Sequence, residues 1–199
     1  ISEIVKDYLI MKICEDVEKA EVYRDFKNYV LSYNLSHEDV LKDMRDYAPF
    51  YNAILTIDSK NAKLDRELLI LKYLASSDMY CLFMYILKRC ADEKTDTVPI
   101  FNLIRCFLTR FRIVGASGGG GALRSVVHTL IEKMQDNQIK CTFDDIQFEL
   151  SNSSSKSGRY PDDTDFKEAL MISKKQNHSY GRAILLSIEV FETKNFPVV

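Results

Sequence analysis

Met79-Tyr80-Cys81-Leu82-Phe83-Met84-Tyr85-Ile86-Leu87 runs without a charge, a glycine or a proline. Wound as a helix, this stretch is apolar on all sides, and a helix with no polar face is buried by its neighbours. It is too short to cross a bilayer, which takes about 20 apolar residues. The fold therefore depends on what encloses it. Ser76-Ser77-Asp78 supplies a turn and an N-cap ahead of it. Upstream, Leu64, Leu68, Leu71 and Ala75 form one apolar stripe. Val40, Met44, Tyr47, Ala48, Tyr51 and Leu55 form another, with Pro49 expected to kink or split it. Ser36 and Asp39 make a weak capping box at its start. Val22, Phe26, Tyr29, Val30 and Tyr33 share one helix face. Ile4, Tyr8 and Met11 mark a first helix, widened by Val5, Leu9 and Ile13.

Downstream, Thr95 to Pro99 is a break, with Pro99 suited to a helix start. Ile100, Ile104, Phe107, Leu108 and Phe111 follow as a buried face. Gly115 to Gly121 interrupts, and Leu123, Val127, Leu130 and Met134 resume the period. Cys141 to Leu150 fits two patterns: Phe143, Ile146 and Leu150 suit a helix, whereas Ile146, Phe148 and Leu150 suit a strand. Ser151 to Gly158 is a polar, Ser-rich linker. Tyr160-Pro161-Asp162-Asp163 opens a helix with apolar Phe166, Ala169 and Leu170. Asn177 to Gly181 turns the chain into a last helix bearing Ile184, Ile188 and Phe191. These readings predict an all-α fold, an irregular multi-helix bundle, with a boundary between a bundle over 1–150 and a linker with a helical entry over 151–199.

Bulk properties agree with a packed domain. The 199 residues are 46% hydrophobic and 28% charged, with net charge −2, 7 Gly, 4 Pro and no Trp. This balance supports a buried core and argues against disorder, and the chain as a whole exerts no strong pull on nucleic acid or anionic membranes. Cys14, Cys81, Cys90, Cys106 and Cys141 are odd in number, lack a C-x-x-C pair and fall within helical patterns. They read as reduced core thiols of a cytoplasmic protein. No secretory signal is visible. The chain starts at Ile1 and ends in Phe196-Pro197-Val198-Val199, and both ends read as cuts through a longer polypeptide.

Several segments, in order, resemble the GmrSD-type modification-dependent restriction endonucleases. Ile1-Ser2-Glu3-Ile4-Val5-Lys6-Asp7-Tyr8-Leu9-Ile10-Met11-Lys12 is similar to the segment that follows that family's ParB-like nucleotide-hydrolysing domain. Tyr23 to Tyr29 and Tyr47-Ala48-Pro49-Phe50-Tyr51 are similar to the helices that come next. Ile104 to Gly115 resembles the arginine-bearing helix that ends in glycine. Arg159-Tyr160-Pro161-Asp162-Asp163-Thr164-Asp165-Phe166-Lys167-Glu168-Ala169-Leu170, followed by Arg182 to Glu192, resembles the entry into the C-terminal HNH nuclease. The resemblance implies a helical connector in a phage-defence endonuclease. Its partners would be the adjoining domains, DNA, and a second copy of the chain. The nucleotide-site residues would precede Ile1, and the Glu-His start of the nuclease motif would follow Val199. No catalytic residue and no cofactor is therefore carried onto this chain. The Gly118 to Gly121 run departs from the family pattern.

Candidate sites come with two readings each. Arg105 and Arg112 are seven apart and share a face away from Phe107 and Phe111, with Arg110 to the side and Arg124 beyond the glycines. The planar guanidinium suits phosphate, so these four are the candidate nucleic-acid contacts. The alternative is a solvated or ion-paired helix face. Ala116 to Gly121 lacks the lysine and hydroxyl of a phosphate loop and reads as a flexible connector. Asp162, Asp163 and Asp165 offer oxygen ligands to a metal, but a proline-led helix start uses the same acids as caps. The expectation is no metal site. His37, His128 and His178 lack ligand spacing. Tyr23, Phe26, Tyr29, Tyr33, Tyr47, Phe50 and Tyr51 read as a base-stacking platform or as core. A helical protein-interaction module without enzymatic activity is the alternative for the whole chain.

Overall fold

The computed structural model describes residues 2–114, 119–153, 158–172 and 178–193. These residues form ten α-helices and one 3-10 turn, with no strand among them. The first five helices are α1 (Ser2–Ile13), α2 (Val22–Ser32), α3 (His37–Thr56), α4 (Ala62–Leu74) and α5 (Tyr80–Glu93). The second five are α6 (Val98–Val114), α7 (Gly119–Gln135), α8 (Phe143–Ser151), α9 (Asp163–Ile172) and α10 (His178–Thr193). The protein is an all-α, irregular multi-helix bundle.

The stretch from Met79 to Leu87 is the centre of the packing. All of it is buried except partly exposed Tyr80. Helices α1, α3 and α7 pack against α5. Phe83 meets Phe101 of α6 at 5.4 Å between ring centroids, and Tyr80 meets Tyr51 of α3 at 6.5 Å. Helix α1 is enclosed in the same way: Asp7, Tyr8, Leu9, Ile10 and Met11 are consecutive and all buried. On the other side, α4 packs on α6, and α8, α9 and α10 lie against α6. Helix α10 also packs on α4, where the Arg182 guanidinium stacks 4.9 Å from the Tyr73 ring. One contiguous core joins the two groups. Each large apolar side chain taken wholly out of water contributes roughly 1.5–3 kcal/mol.

Local signals set most boundaries. Ser36 Oγ accepts the Asp39 N–H at 3.0 Å and caps α3. Asn61 Oδ1 accepts from Lys63 and Leu64 and caps α4, and Thr142 Oγ1 accepts from Asp145 and caps α8. With that cap, the segment from Cys141 to Leu150 resolves as a helix: Ile146 and Leu150 face the core, and Phe148 is exposed.

Four expectations need correction. Pro49 does not split α3, which runs through it, with Tyr47 and Tyr51 on either side anchored in the core. Ser76, Ser77 and Asp78 do not cap α5 with a side chain; a 3-10 turn over Ser77–Met79 leads into it. The glycine interruption is shorter than expected, because Gly119, Gly120 and Gly121 already belong to α7; positions 115–118 lie outside the described residues. The turn expected at Asn177 to Gly181 is helical from His178, and Asn177 lies outside the described residues. Of the linker, 154–157 also lie outside. Gly158 packs so closely on α7 that an added Cβ would stand 3.0 Å from Val126 Cγ2.

Gly121 has nothing within 4 Å of an added Cβ. A helical glycine costs roughly 0.5–1 kcal/mol against alanine. Gly121→Ala is therefore expected to stabilise the fold by about that amount, read as a higher urea midpoint with an unchanged slope.

Candidate functional site

The four arginines singled out by sequence do not come together on one face. Arg105 turns inward from α6. Its Nε donates to Glu67 Oε2 on α4 at 2.6 Å, with the two side chains 8% and 13% exposed. Asn102 Nδ2 donates to the other Glu67 oxygen at 3.2 Å. The expectation that Arg105 lies on a face open to phosphate is thereby corrected: α4 covers it. Arg112, one turn-pair further, donates from Nε to the Leu74 carbonyl at 3.2 Å, where α4 ends and leaves a carbonyl without a helical partner.

Arg110 reaches a third element. Its Nη2 is 2.6 Å from Asp163 Oδ1 and its Nη1 donates to the Pro161 carbonyl at 3.3 Å. The same guanidinium lies 5.6 Å from the Tyr160 ring centroid and 5.1 Å from that of Phe166. Phe107 adds a ring contact to Tyr160 at 5.9 Å, and the Tyr160 N–H donates to the Leu150 carbonyl at 2.8 Å. Together these fix the start of α9 on α6. The acids there are engaged by protein: Asp162 Oδ1 accepts the N–H groups of Thr164 and Asp165 at 2.8 Å each, and Asp165 lies 3.5 Å from Arg159. Among the described residues no group of three or more His, Cys, Asp or Glu gathers as a metal ion would need.

Arg124 and His128 lie one turn apart on α7 and share one acid. Arg124 Nη1 is 3.3 Å from Asp16 Oδ2, and His128 Nε2 is 3.6 Å from Asp16 Oδ1. Arg124 Nε stands 3.9 Å from Asp78. Burial lowers the His128 pKa, ahead of the opposing pull of Asp16, and favours the neutral imidazole. His37 opens α3 on the surface, and the side chain of His178 lies outside the described residues. The aromatic stripe divides: Tyr47 and Tyr51 are core, Tyr29 is partly buried, and Tyr23 and Tyr33 are exposed.

Sequence reading missed two polar clusters. In the first, the Tyr8 hydroxyl donates to Asp43 at 2.6 Å, and Lys12 pairs with the same carboxylate at 2.6 Å. Lys12 also lies over the rings of Tyr8 and Tyr47. Beside it, Lys12, Lys88 and Arg89 line a cavity of about 260 Å³. Each cation has its own acid, since Lys88 pairs with Asp92 and Arg89 with Glu93, both at 2.5 Å. The cavity is polar, and each of its three cations is already ion-paired. The second cluster surrounds Asp7, which is 4% exposed. Burial lifts its pKa from 3.8 to about 7, against the opposing effect of a hydrogen bond with Tyr51 and the charge of Lys6. The sequence did carry a signal for both Asp7 and Glu67. Asp7 falls on the stripe of Ile4 and Met11, and Glu67 on that of Leu64 and Leu71, so each carboxylate occupies a core position of its helix.

No helix among the described residues is long and apolar enough to cross a membrane. No known protein family, no curated protein and no solved structure matches the chain.

Two outcomes are expected. Removing one partner of a buried ion pair strands the other, at a cost of about 3–5 kcal/mol. Glu67→Ala should lose about that much in urea unfolding, and Glu67→Leu combined with Arg105→Met should recover most of it; an equal loss in the double variant would deny the pair this role. For Asp7, the folded pKa lies above the unfolded one, so the native state binds the extra proton. The contribution of Asp7 to stability is then fully present below about pH 4 and is lost as pH rises toward 7. Asp7→Asn should abolish that part of the pH dependence and gain on the wild type above pH 7, as read from melting temperatures across the range.

Proposed function

We propose that this chain is a non-catalytic helical part of a GmrSD-like bacterial DNA restriction endonuclease, joining a nucleotide-hydrolysing unit to an HNH nuclease. The observation that carries the reading is the Arg110 clamp. The segment from Arg159 to Leu170, whose sequence resembles the nuclease entry, is held on α6 by an ion pair, a carbonyl contact and two ring contacts. A connector with that task needs a rigid mount, because a displacement of about 1 Å at a reacting centre costs on the order of 100-fold in rate. The arginines accordingly act here as staples between elements. In this reading, contact with DNA falls to Arg124, whose side chain is 43% exposed. Five cysteines with no disulfide among them support a cytoplasmic setting for it.

A second reading, a helical protein-interaction module, is favoured by apolar side chains left in water on the last two helices. Met171 is 87% exposed, and Leu185 and Ile188 are also exposed. Scattered exposed apolar residues are ordinary, but several on neighbouring elements suit a partner.

The test is to read the parent frame past Val199 and assay the whole protein on modified and unmodified DNA with a nucleoside triphosphate and a divalent metal. The expected result is an HNH motif, cleavage of the modified DNA, and a loss on the order of tenfold or more in cleavage for Arg110→Ala, with nucleotide hydrolysis retained. A frame without a nuclease motif, or a whole protein inert on modified DNA, sinks the proposal. Capture of a specific protein partner by a chain that shows no salt-sensitive DNA binding would favour the second reading.

A further inference from the structure

Cys90 lies in the last turns of α5, and Cys141 directly precedes the cap of α8. They are 51 positions apart in sequence, yet their sulfurs stand 3.7 Å apart. Both side chains are buried, 0% and 1% exposed. The other thiols face oxygen: Cys14 meets Gln135 Oε1, Cys81 the Asp78 carbonyl and Cys106 Asn102 Oδ1. The two sulfurs need to close by roughly 1.7 Å to reach bonding distance.

Cys141 ends the turn that follows α7, whose residues Asp136, Asn137, Gln138 and Lys140 are exposed. That turn is held by Arg89 Nη2 donating to Asn137 Oδ1 at 3.3 Å, by the Lys140 N–H donating to Asp145 at 2.8 Å, and by main-chain hydrogen bonds from Asn137 to Met134 and from Gln138 and Ile139 to Lys133. Asn137 sits at φ 55°, a left-handed conformation. A surface turn of this kind opens locally without global unfolding. The pair is also polarised: the hydrogen bond between the sulfurs, with a second from Thr95, lowers the Cys90 pKa, and the same sulfur contact and burial raise that of Cys141.

We propose that Cys90 and Cys141 are an oxidation site, closed to a reversible disulfide by low-molecular-weight disulfides of the glutathione type, which staples the end of α5 to the turn ahead of α8. The Cys90 thiolate attacks one sulfur of the small disulfide, whose S–S bond breaks and releases one small thiolate. Cys141 then gives up its proton and attacks the Cys90 sulfur of the mixed disulfide, expelling the second small thiolate. Two protein thiols are oxidised, one small disulfide is reduced to two thiols, and the two protons end on those thiols.

The test uses the purified chain, equilibrated with oxidised and reduced glutathione in two ways: from the native state, and by refolding from denaturant so that access sets no limit. Free thiols are then alkylated under denaturing conditions and the peptides are mapped by mass. The expected result is one cross-linked peptide pair containing Cys90 and Cys141, lighter by about two hydrogens. Cys14, Cys81 and Cys106 should be alkylated, and the melting temperature should rise by several degrees. Cys141→Ser should arrest at a glutathione adduct on Cys90. If both arms leave Cys90 and Cys141 alkylated while another pair cross-links, or if no pair does, the proposal fails. An adduct on a different cysteine in Cys141→Ser overturns the assignment of Cys90 as the attacking thiol.

Discussion

A helix with no polar side has to be surrounded, and that requirement at Met79 to Leu87 organises the chain. A surface helix needs one packing partner; a helix apolar all round needs several, from several directions. Helices α1, α3 and α7, together with Phe101 of α6, supply them. Enclosure then propagates. Helix α1, drawn against α5, is itself covered by α2 and α3, and its residues from Asp7 to Met11 lose contact with water. The resistance of Asp7 to ionisation is a consequence of that second enclosure. Its raised pKa comes mainly from burial and only secondarily from neighbouring charges.

The basic residues of the second half answer a different need. Helix α6 touches α4, α8, α9 and α10, and its three arginines reach two of these neighbours. Arg105 crosses to a carboxylate on α4, Arg112 to a carbonyl at the end of α4, and Arg110 to the start of α9. A guanidinium suits all three tasks because its fork satisfies several acceptors and its plane stacks on rings. Apolar packing tolerates sliding between helices, whereas a hydrogen-bonded fork defines one register. That is the physical content of calling α6 a mount.

Periodicity revealed the helices because it is a property of neighbouring positions, and most stripes in the sequence became core faces at the expected residues. Caps were partly readable: Ser36 was, but Asn61 was not singled out, since a lone asparagine before an apolar run has many readings. The split expected as one outcome at Pro49 did not occur, because its cost is local, while the anchoring of Tyr47 and Tyr51 depends on distant partners. The arginines were found as residues but not as a site. Seven-residue spacing places Arg105 and Arg112 on one face, and nothing within α6 tells whether α4 covers that face. The Cys90–Cys141 contact lay beyond reach for the same reason, joining segments whose relation is set only by the packing of α5, α7 and α8.

The buried pair of Glu67 and Arg105 and the buried carboxylate of Asp7 bear on why the bundle is irregular but singular. Hydrophobic burial drives association with little preference for rotation or register, and an ion pair enclosed between helices rarely adds net stability over a well-packed apolar pair. What it adds is a penalty on every alternative arrangement. If α4 shifts by one residue against α6, the contacts of Glu67 with Arg105 and Asn102 are lost in a medium that solvates charge poorly. Asp7 acts in the same sense at the α1–α3 contact, where a rotation of α1 would trade its Tyr51 partner for apolar surface. The apolar helices thus supply the drive to collapse, and a few enclosed polar groups select which collapsed arrangement survives.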